Sequence, residues 1–492
     1  MTESTEASSP VALGHRWGRI GELVCRLRLS WRDGSMHIPA VFFICVYAFL
    51  LLCIPSQLII RPIGSPGTPA NLWGIFCLLW WLVATLSGQN RIHGWTPTRT
   101  TFGLLALAVL TSYASGTAKG WYAPANIHQE TDELWTLVLI QPDAMNEKII
   151  SAADRGLLSF LGWAGVLLLT CEGLRGWRDI ELIVTWLSRF GAFVAALGII
   201  QYFTGIDIAA LFTIPGLSAN SEFGEVTTRS VINRVSSTAV HPIEFGVVMA
   251  GLFFLALHRS LFTRTSKLSW VPTLLIGIAL PMSVSRSAIL AIAISGIVIF
   301  VGWQTRWRFA VLLILPFAVV GMKLLAPGLL GTIRSLFTNV LVDPSVTGRT
   351  EDYDAVLSVY KNNPLFGQGL YTFVPRYYRT LDNQMLMSLI ELGAFGLIIL
   401  IVFISTGYML ARAARRRSVG PRERDLALVI SGSIVGLVLS YFTFDSWGFP
   451  MVAGLTFLLI GMAGAASHIS RRPAQAGAGI AVSHQPLLGV TS

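Results

Sequence analysis

The sequence predicts an all-α, polytopic membrane protein of about twelve transmembrane helices, with one large helical loop on the face opposite the termini. Three observations predict it. Of 492 residues, 53% are hydrophobic and 13% charged, with a mean hydropathy of +0.64. A soluble domain carries about a quarter charged residues. Apolar runs of bilayer length recur through the chain, and Lys and Arg collect on alternate connections between them.

Taken in order, the apolar runs are 39–60, 69–88, 100–116, 156–172, 181–203, 238–258, 270–284, 287–303, 309–326, 383–410, 426–444 and 449–467. The stretch 270–303 is broken by Ser283-Val284-Ser285-Arg286-Ser287, which predicts two short spans meeting at a polar tip. Of the 36 Lys and Arg, 22 fall on alternate connections, from Arg16 in the first to Arg472 in the last. That bias predicts cytoplasmic termini. Residues 1–35 form a basic arm with no apolar core of a signal peptide. Residues 36–470 form the membrane domain, and the Ala/Gly-rich 471–492 are expected to be a disordered cytoplasmic tail.

The opposite face then holds the long loops, about 117–155, 204–237 and 327–382. The last carries Arg334, Arg349, Lys361, Arg376 and Arg379. These cations lie on the wrong side to set topology, so they point to an anionic ligand at the membrane surface. The five cysteines (Cys25, Cys45, Cys53, Cys77, Cys171) lie in spans or on the inner side, so no disulfide framework is predicted. No Cys/His spacing suits zinc, and no glycine-rich phosphate loop follows a strand. No cofactor, no metal and no nucleic-acid partner is expected; the lipid bilayer is.

Four places could carry chemistry. Arg234 stands just before a span, followed by His241-Pro242, with Glu244 inside it. An ionisable group within a span faces a polar cavity or a partner, while Arg234 could equally anchor at the interface. Arg286 sits between two serines at the tip, where its planar fork suits phosphate oxygens; a plain boundary arginine is the alternative. Arg349 precedes Thr350, which is placed to cap a helix over about 351–361 and so bring Arg349 to an anion-favouring N-terminus. A local ion pair with Glu351 or Asp352 is the alternative. Last, Arg376, Tyr377, Tyr378 and Arg379 interleave rings with cations, a pattern suited to sugar faces beside a phosphate or to any membrane interface. Asp382 follows them, as a general base, as the cap of the next span, or as both.

In this order the pieces resemble the O-antigen ligase and polymerase family of bacterial membrane glycosyltransferases, over most of residues 181–404. The matching elements are Arg234 with His241-Pro242, the Ser285-Arg286-Ser287 tip, Gly348-Arg349, Asn363 to Gly369 (Asn-Pro-Leu-Phe-Gly-Gln-Gly), and Asp382-Asn383-Gln384-Met385-Leu386 running into Glu391-Leu392-Gly393. Two positions depart. Ile243 stands where the family usually has Asn, and Asp382 stands where ligases often have a catalytic His. The departures favour a polymerase, or a relative acting on other glycans, over a strict lipid A-core ligase.

The resemblance implies a GT-C-like fold and a polyprenyl-diphosphate-linked oligosaccharide donor, transferred to a glycan or lipid acceptor on the outer face of a bacterial cytoplasmic membrane. Arg234 and Arg286 would neutralise the diphosphate, with Asp382 as base, in an inverting and metal-independent reaction. Arg349, Arg376, Arg379, Glu244, His241 and Tyr378 would bind substrate. Other membrane proteins of polysaccharide assembly are further candidate partners. A flippase of the same lipid-linked oligosaccharide is the alternative; such transporters tend to show two similar halves, which this sequence lacks.

Overall fold

The computed structural model describes residues 30–32, 35–37, 39–88, 96–119, 129–130, 134–135, 142–207, 209–220, 234–262, 267–325, 344–375, 378 and 380–471. Most of the basic arm, the tail after Arg471 and the Arg334 segment lie outside them. Thirteen α-helices occur among the described residues: α1 (Ala40–Cys53), α2 (Pro69–Leu86), α3 (Pro97–Ala118), α4 (Pro142–Gly173), α5 (Trp177–Thr204), α6 (Pro242–Phe262), α7 (Val271–Met282), α8 (Arg286–Gly302), α9 (Thr305–Leu325), α10 (Pro344–Tyr360), α11 (Gln384–Arg417), α12 (Pro421–Leu439) and α13 (Pro450–Ile469). Twelve coincide with the twelve apolar runs. The thirteenth, α10, is the polar helix of the long loop.

Eight helices, α2–α6 and α11–α13, are long and apolar enough to cross a membrane, and α1, α7 and α8 are shorter apolar helices. The short pair α7 and α8 meets at the predicted Ser-Arg-Ser tip. Helix starts follow local chemistry. Thr68 and Thr96 cap α2 and α3, each followed by proline at the first helical position, and Ser285 caps α8. Helix α13 is apolar all round and almost wholly buried, so it forms the middle of the bundle. It packs against α4, α11 and α12.

The loop expected over 117–155 is partly helix, because α4 begins at Pro142, well before its apolar part. That extension has somewhere to pack. A second small core joins Ile149 and Ala153 of α4, Val356 and Val359 of α10, Phe373, Tyr378 and Leu381, and Met387 and Ile390 of α11. It seats the long loop on one end of the bundle, called the loop end below.

Helix α11 is two helices in one. At Gly393 the backbone turns to φ 71°, and the facing Gly367 has φ 69°. A side chain on either glycine would strike the other segment's backbone, so the two strands touch directly. The break exposes backbone groups in an apolar region, and the loop satisfies them. Ala394 N–H donates to Pro364 O at 2.9 Å, Phe395 N–H to Leu365 O at 3.1 Å, and Gly369 N–H to Glu391 O at 3.0 Å. Ser112 Oγ of α3 also donates to Glu391 O and accepts from Gly369 N–H at 2.8 Å. Irregular backbone at such depth persists only when protein supplies its hydrogen bonds. The Asn-Pro-Leu-Phe-Gly-Gln-Gly and Glu-Leu-Gly elements are thus two halves of one joint.

Candidate active site

Four helix starts meet at the loop end: those of α6, α8, α11 and α13. Gly246, in the second turn of α6, lies directly against Ser283 Oγ and the Ala288 methyl, which seats the tip on α6. Glu244, one turn into α6, is fully buried. Its Oε2 accepts from Val240 N–H at 2.8 Å and its Oε1 from Met451 N–H at 2.7 Å. The carboxylate therefore ties the start of α6 to the start of α13, where an acidic group also suits the helix dipole. Both oxygens are engaged with backbone, which gives Glu244 a structural use.

The segment leading into α6 is rigidly held. Gln201 Oε1 of α5 accepts from Ser237 N–H at 2.7 Å and Ser236 N–H at 3.2 Å, and Ser237 Oγ donates to Val194 O at 2.8 Å. Thr238 Oγ1 donates to Leu52 O at 2.7 Å. Ser237 itself sits at φ 53°. Half-buried Arg234 is presented from this platform. His241 caps the same helix start: its Nδ1 accepts from Ile243 N–H at 3.1 Å, and its ring lies 6.2 Å from that of Phe449.

At the tip, Ser285 Oγ accepts from Ala288 N–H at 3.3 Å, so Arg286 is the first residue of α8. Val284 before it is held at φ 48°. For a β-branched residue that conformation is strained, and such strain clusters at functional sites. A guanidinium at a helix N-terminus combines two sources of positive potential.

The start of α11 corrects one expectation. The cap is Asn383, whose Oδ1 accepts from Met385 N–H at 2.9 Å and Leu386 N–H at 3.1 Å. Asp382 is one residue too early to cap and is left half-buried beside the cap. Gln384 then clamps the neighbouring loop. Its N–H donates to Phe444 O at 3.2 Å, and its Oε1 accepts from Trp447 N–H at 2.7 Å. The clamp brings Asp445 within electrostatic reach of Asp382. Burial pushes the Asp445 carboxyl up to about 6; the Gly448 and Trp447 N–H groups pull it down, and the Asp382 charge adds to the rise. The Asp445 carboxyl thus holds its proton to a higher pH than a carboxyl in water does.

Asp445 was missed in the sequence, because a lone Asp between two spans reads as a boundary residue. Its signal is present in Phe444-Asp445-Ser446-Trp447-Gly448, a polar break too short for an ordinary surface loop.

The remaining predicted residues divide. Helix α10 starts at Pro344, not after Thr350, so Arg349 lies in its second turn, away from the N-terminus. The sequence misplaced that start because Thr350 resembles a cap while Pro344 serves as an N-terminal residue equally well. Tyr378 is buried in the second core, its ring stacked on Phe373 at 4.4 Å between centroids, which occupies one face. Arg376 and Arg379 lie outside the described residues.

Residues 271–401 match the family model described as O-Antigen ligase. The match covers α7 to the middle of α11 and so includes the tip, α10, the loop joint and Asp382. No curated protein matches the chain.

Proposed function

We propose that this chain is an O-antigen ligase- or polymerase-type glycosyltransferase that takes oligosaccharide from a polyprenyl diphosphate. The acceptor is a glycan or lipid on the outer face of the cytoplasmic membrane. The observation that carries the reading is the convergence of Arg234, Arg286 and the Asp382–Asp445 pair at one end of the bundle, on helix starts locked together by Glu244, Gln384 and Gly246.

In the proposed reaction an acceptor hydroxyl attacks the anomeric carbon of the donor. The bond from that carbon to the diphosphate oxygen breaks as the new glycosidic bond forms, with inversion. Asp382 takes the hydroxyl proton. Arg234 and Arg286 stabilise the charge that collects on the leaving diphosphate, an electrostatic contribution of a few kcal/mol per donor. The donor bond already stores the transfer energy, so this scheme needs no nucleotide. Asp445, close to Asp382 and partly protonated near neutrality, can receive or return that proton. The tip between α7 and α8 presents Arg286 at the start of α8, a place suited to a lipid-anchored phosphate. Arg349, Arg376 and Arg379 remain proposed contacts to the glycan or phosphate.

The test uses purified protein and lipid-linked donor in detergent, with no membrane to cross. Transfer to acceptor under those conditions supports the enzyme; absence of transfer with donor bound overturns it in favour of a carrier. Reporters after Gly348 and Arg417 check the sidedness. The first is expected outside and the second inside, and a cytoplasmic signal at Gly348 defeats the scheme.

A further inference from the structure

Several arginines at the end away from α10 have an acceptor within the protein. Arg99 holds Glu172, Arg422 holds Glu181, and Arg308 donates to the Phe300 and Val301 carbonyls at 2.9 and 2.8 Å. Arg415 donates to Gly302 O. Arg189 of α5 and Arg259 of α6 differ. Among the described residues neither has a hydrogen-bond acceptor or a carboxylate partner.

Arg189 is not a loop residue that sets topology. It lies inside the apolar run 181–203, eight residues past Glu181, which is about 12 Å further along the axis at the helical rise. Phe193, Ile200 and Phe203 follow it at helical spacing, and all are exposed, as Arg189 is. On a candidate span such a face meets lipid. A cation within a span is costly and marks a partner.

The guanidinium is also oriented. It lies over the Trp186 ring, 4.9 Å from the centroid. Stacking takes up a face of the guanidinium plane and leaves its N–H edge for an oxyanion. Helix α6 packs on α5 and adds half-buried Arg259, within electrostatic reach of Arg189. Two neighbouring cations repel each other, and an anion shared by both removes the repulsion. A phospholipid suits the place better than a soluble anion, because its acyl chains cover the apolar surface that continues along α5. With the phosphate at Arg189, those chains run past Phe193 and Ile200 toward the middle of the membrane. Two cations on one phosphate favour a headgroup of net negative charge.

We infer that Arg189 and Arg259 bind the phosphate of one anionic phospholipid, in the leaflet at the end away from α10. The site is apart from the reacting groups and outside the region that matches the family model, and it stands whether or not the chain transfers glycan. The lipid braces α5, whose far end carries Gln201, the clamp of the segment after Arg234.

The test is native mass spectrometry and thermal melting of the full-length protein in detergent. The probes are dioleoyl phosphatidylglycerol, dioleoyl phosphatidylcholine and sn-glycerol 3-phosphate. Wild type is expected to retain one phosphatidylglycerol in preference to phosphatidylcholine. Joint Arg189→Gln and Arg259→Gln should weaken that binding about tenfold or more. Arg189→Lys, which keeps the charge and loses the fork, should keep part of it. Arg306→Gln, at the same end but stacked on Trp307, should bind as wild type does. Should the double variant fail to fold, Arg189→Gln alone carries the comparison. Equal retention of both lipids, undiminished binding by the Gln variants, or an equal loss in Arg306→Gln overturns the site and leaves a diffuse basic surface. A melting shift with sn-glycerol 3-phosphate as large as that with phosphatidylglycerol overturns the lipid as occupant in favour of a soluble phosphate.

Discussion

Among the described residues, the buried carboxylates at the two ends of the helix bundle are held in different ways. At the end away from α10, opposite charges meet. Arg99 donates to both oxygens of Glu172, at 2.8 and 2.6 Å, and Trp81 Nε1 donates to the same carboxylate at 2.9 Å. His258 Nδ1 lies 2.6 Å from Asp425, which also accepts from Trp303 Nε1 at 2.7 Å, and Arg422 pairs with Glu181. At the loop end, Asp445 feels the charge of Asp382, and Glu244 is held by backbone N–H groups. Opposite charges in contact stabilise a helix bundle once their desolvation is met. A carboxylate within electrostatic reach of another raises the cost of ionising it, as Asp382 does for Asp445.

This contrast can be broken from either end. The largest effect is expected at the tip. Arg286→Ala should lower transfer at least a hundredfold at unchanged expression, the size seen when one electrostatic donor is removed from a transition state. Arg286→Lys should recover only part, since it keeps charge and loses the fork. Wild-type rates from Arg286→Ala would return this residue to the interface-anchor role.

Asp382→Asn comes next. Asn383 holds the cap, so this variant should melt within about 0.5 kcal/mol of wild type, as surface substitutions do. Its transfer rate should still fall, by roughly 10²-fold or more if the carboxylate is the base. A normal rate would leave the arginines as the main catalytic groups. Asp382→His should retain some activity if imidazole can stand in.

At the other end the signs reverse. Glu172→Ala leaves Arg99 and Trp81 without their acceptor and should cost about 2 kcal/mol of stability, below the range for a fully buried pair because Arg99 is part exposed. The rate per folded molecule should not change. A thermal melt and an active-site titration separate the two effects.

The smallest effect is the pH dependence of Asp445→Asn. The folded carboxyl is raised from 3.8 to about 6, so between those values the folded state holds a proton that the unfolded state has released. Stability from this group is therefore present at low pH, is lost as pH rises through the window, and stays lost above it. Asn removes the penalty. The variant should be more stable than the wild type at pH 7.5 and no better at pH 4. Equal melts at both values would mean that Asp445 titrates normally.

Hydropathy made the twelve apolar helices and the short α7–α8 pair legible, because each must present an apolar surface over its own length. Motif order made the tip and Asp382 legible. What the sequence withheld depends on packing between distant segments. Asn363 to Gly369 and Glu391-Leu392-Gly393 read as two elements until their backbones are seen to pair. Asp382 read as a cap because Asp and Asn cap equally well, and only the hydrogen bonds select Asn383. Asp445 acquires its meaning from the Gln384 clamp, 61 positions earlier in the chain. The partners of Glu244 were hidden because they are backbone amides, which no sequence pattern displays.

The break at Gly393 has a consequence for anyone building hybrids. Leu386, Met387, Leu389 and Ile390 share their core with α10 and the extension of α4, whereas Met385 and the residues from Leu392 onward pack on the main bundle. Mechanically, one face of the first two turns of α11 belongs to the second core, although these turns look like the start of a membrane span. A chimera that swaps specificity should be spliced after Gly393 and should bring residues 142–155 with it. A cut at the apparent helix start would divide a small domain through its middle.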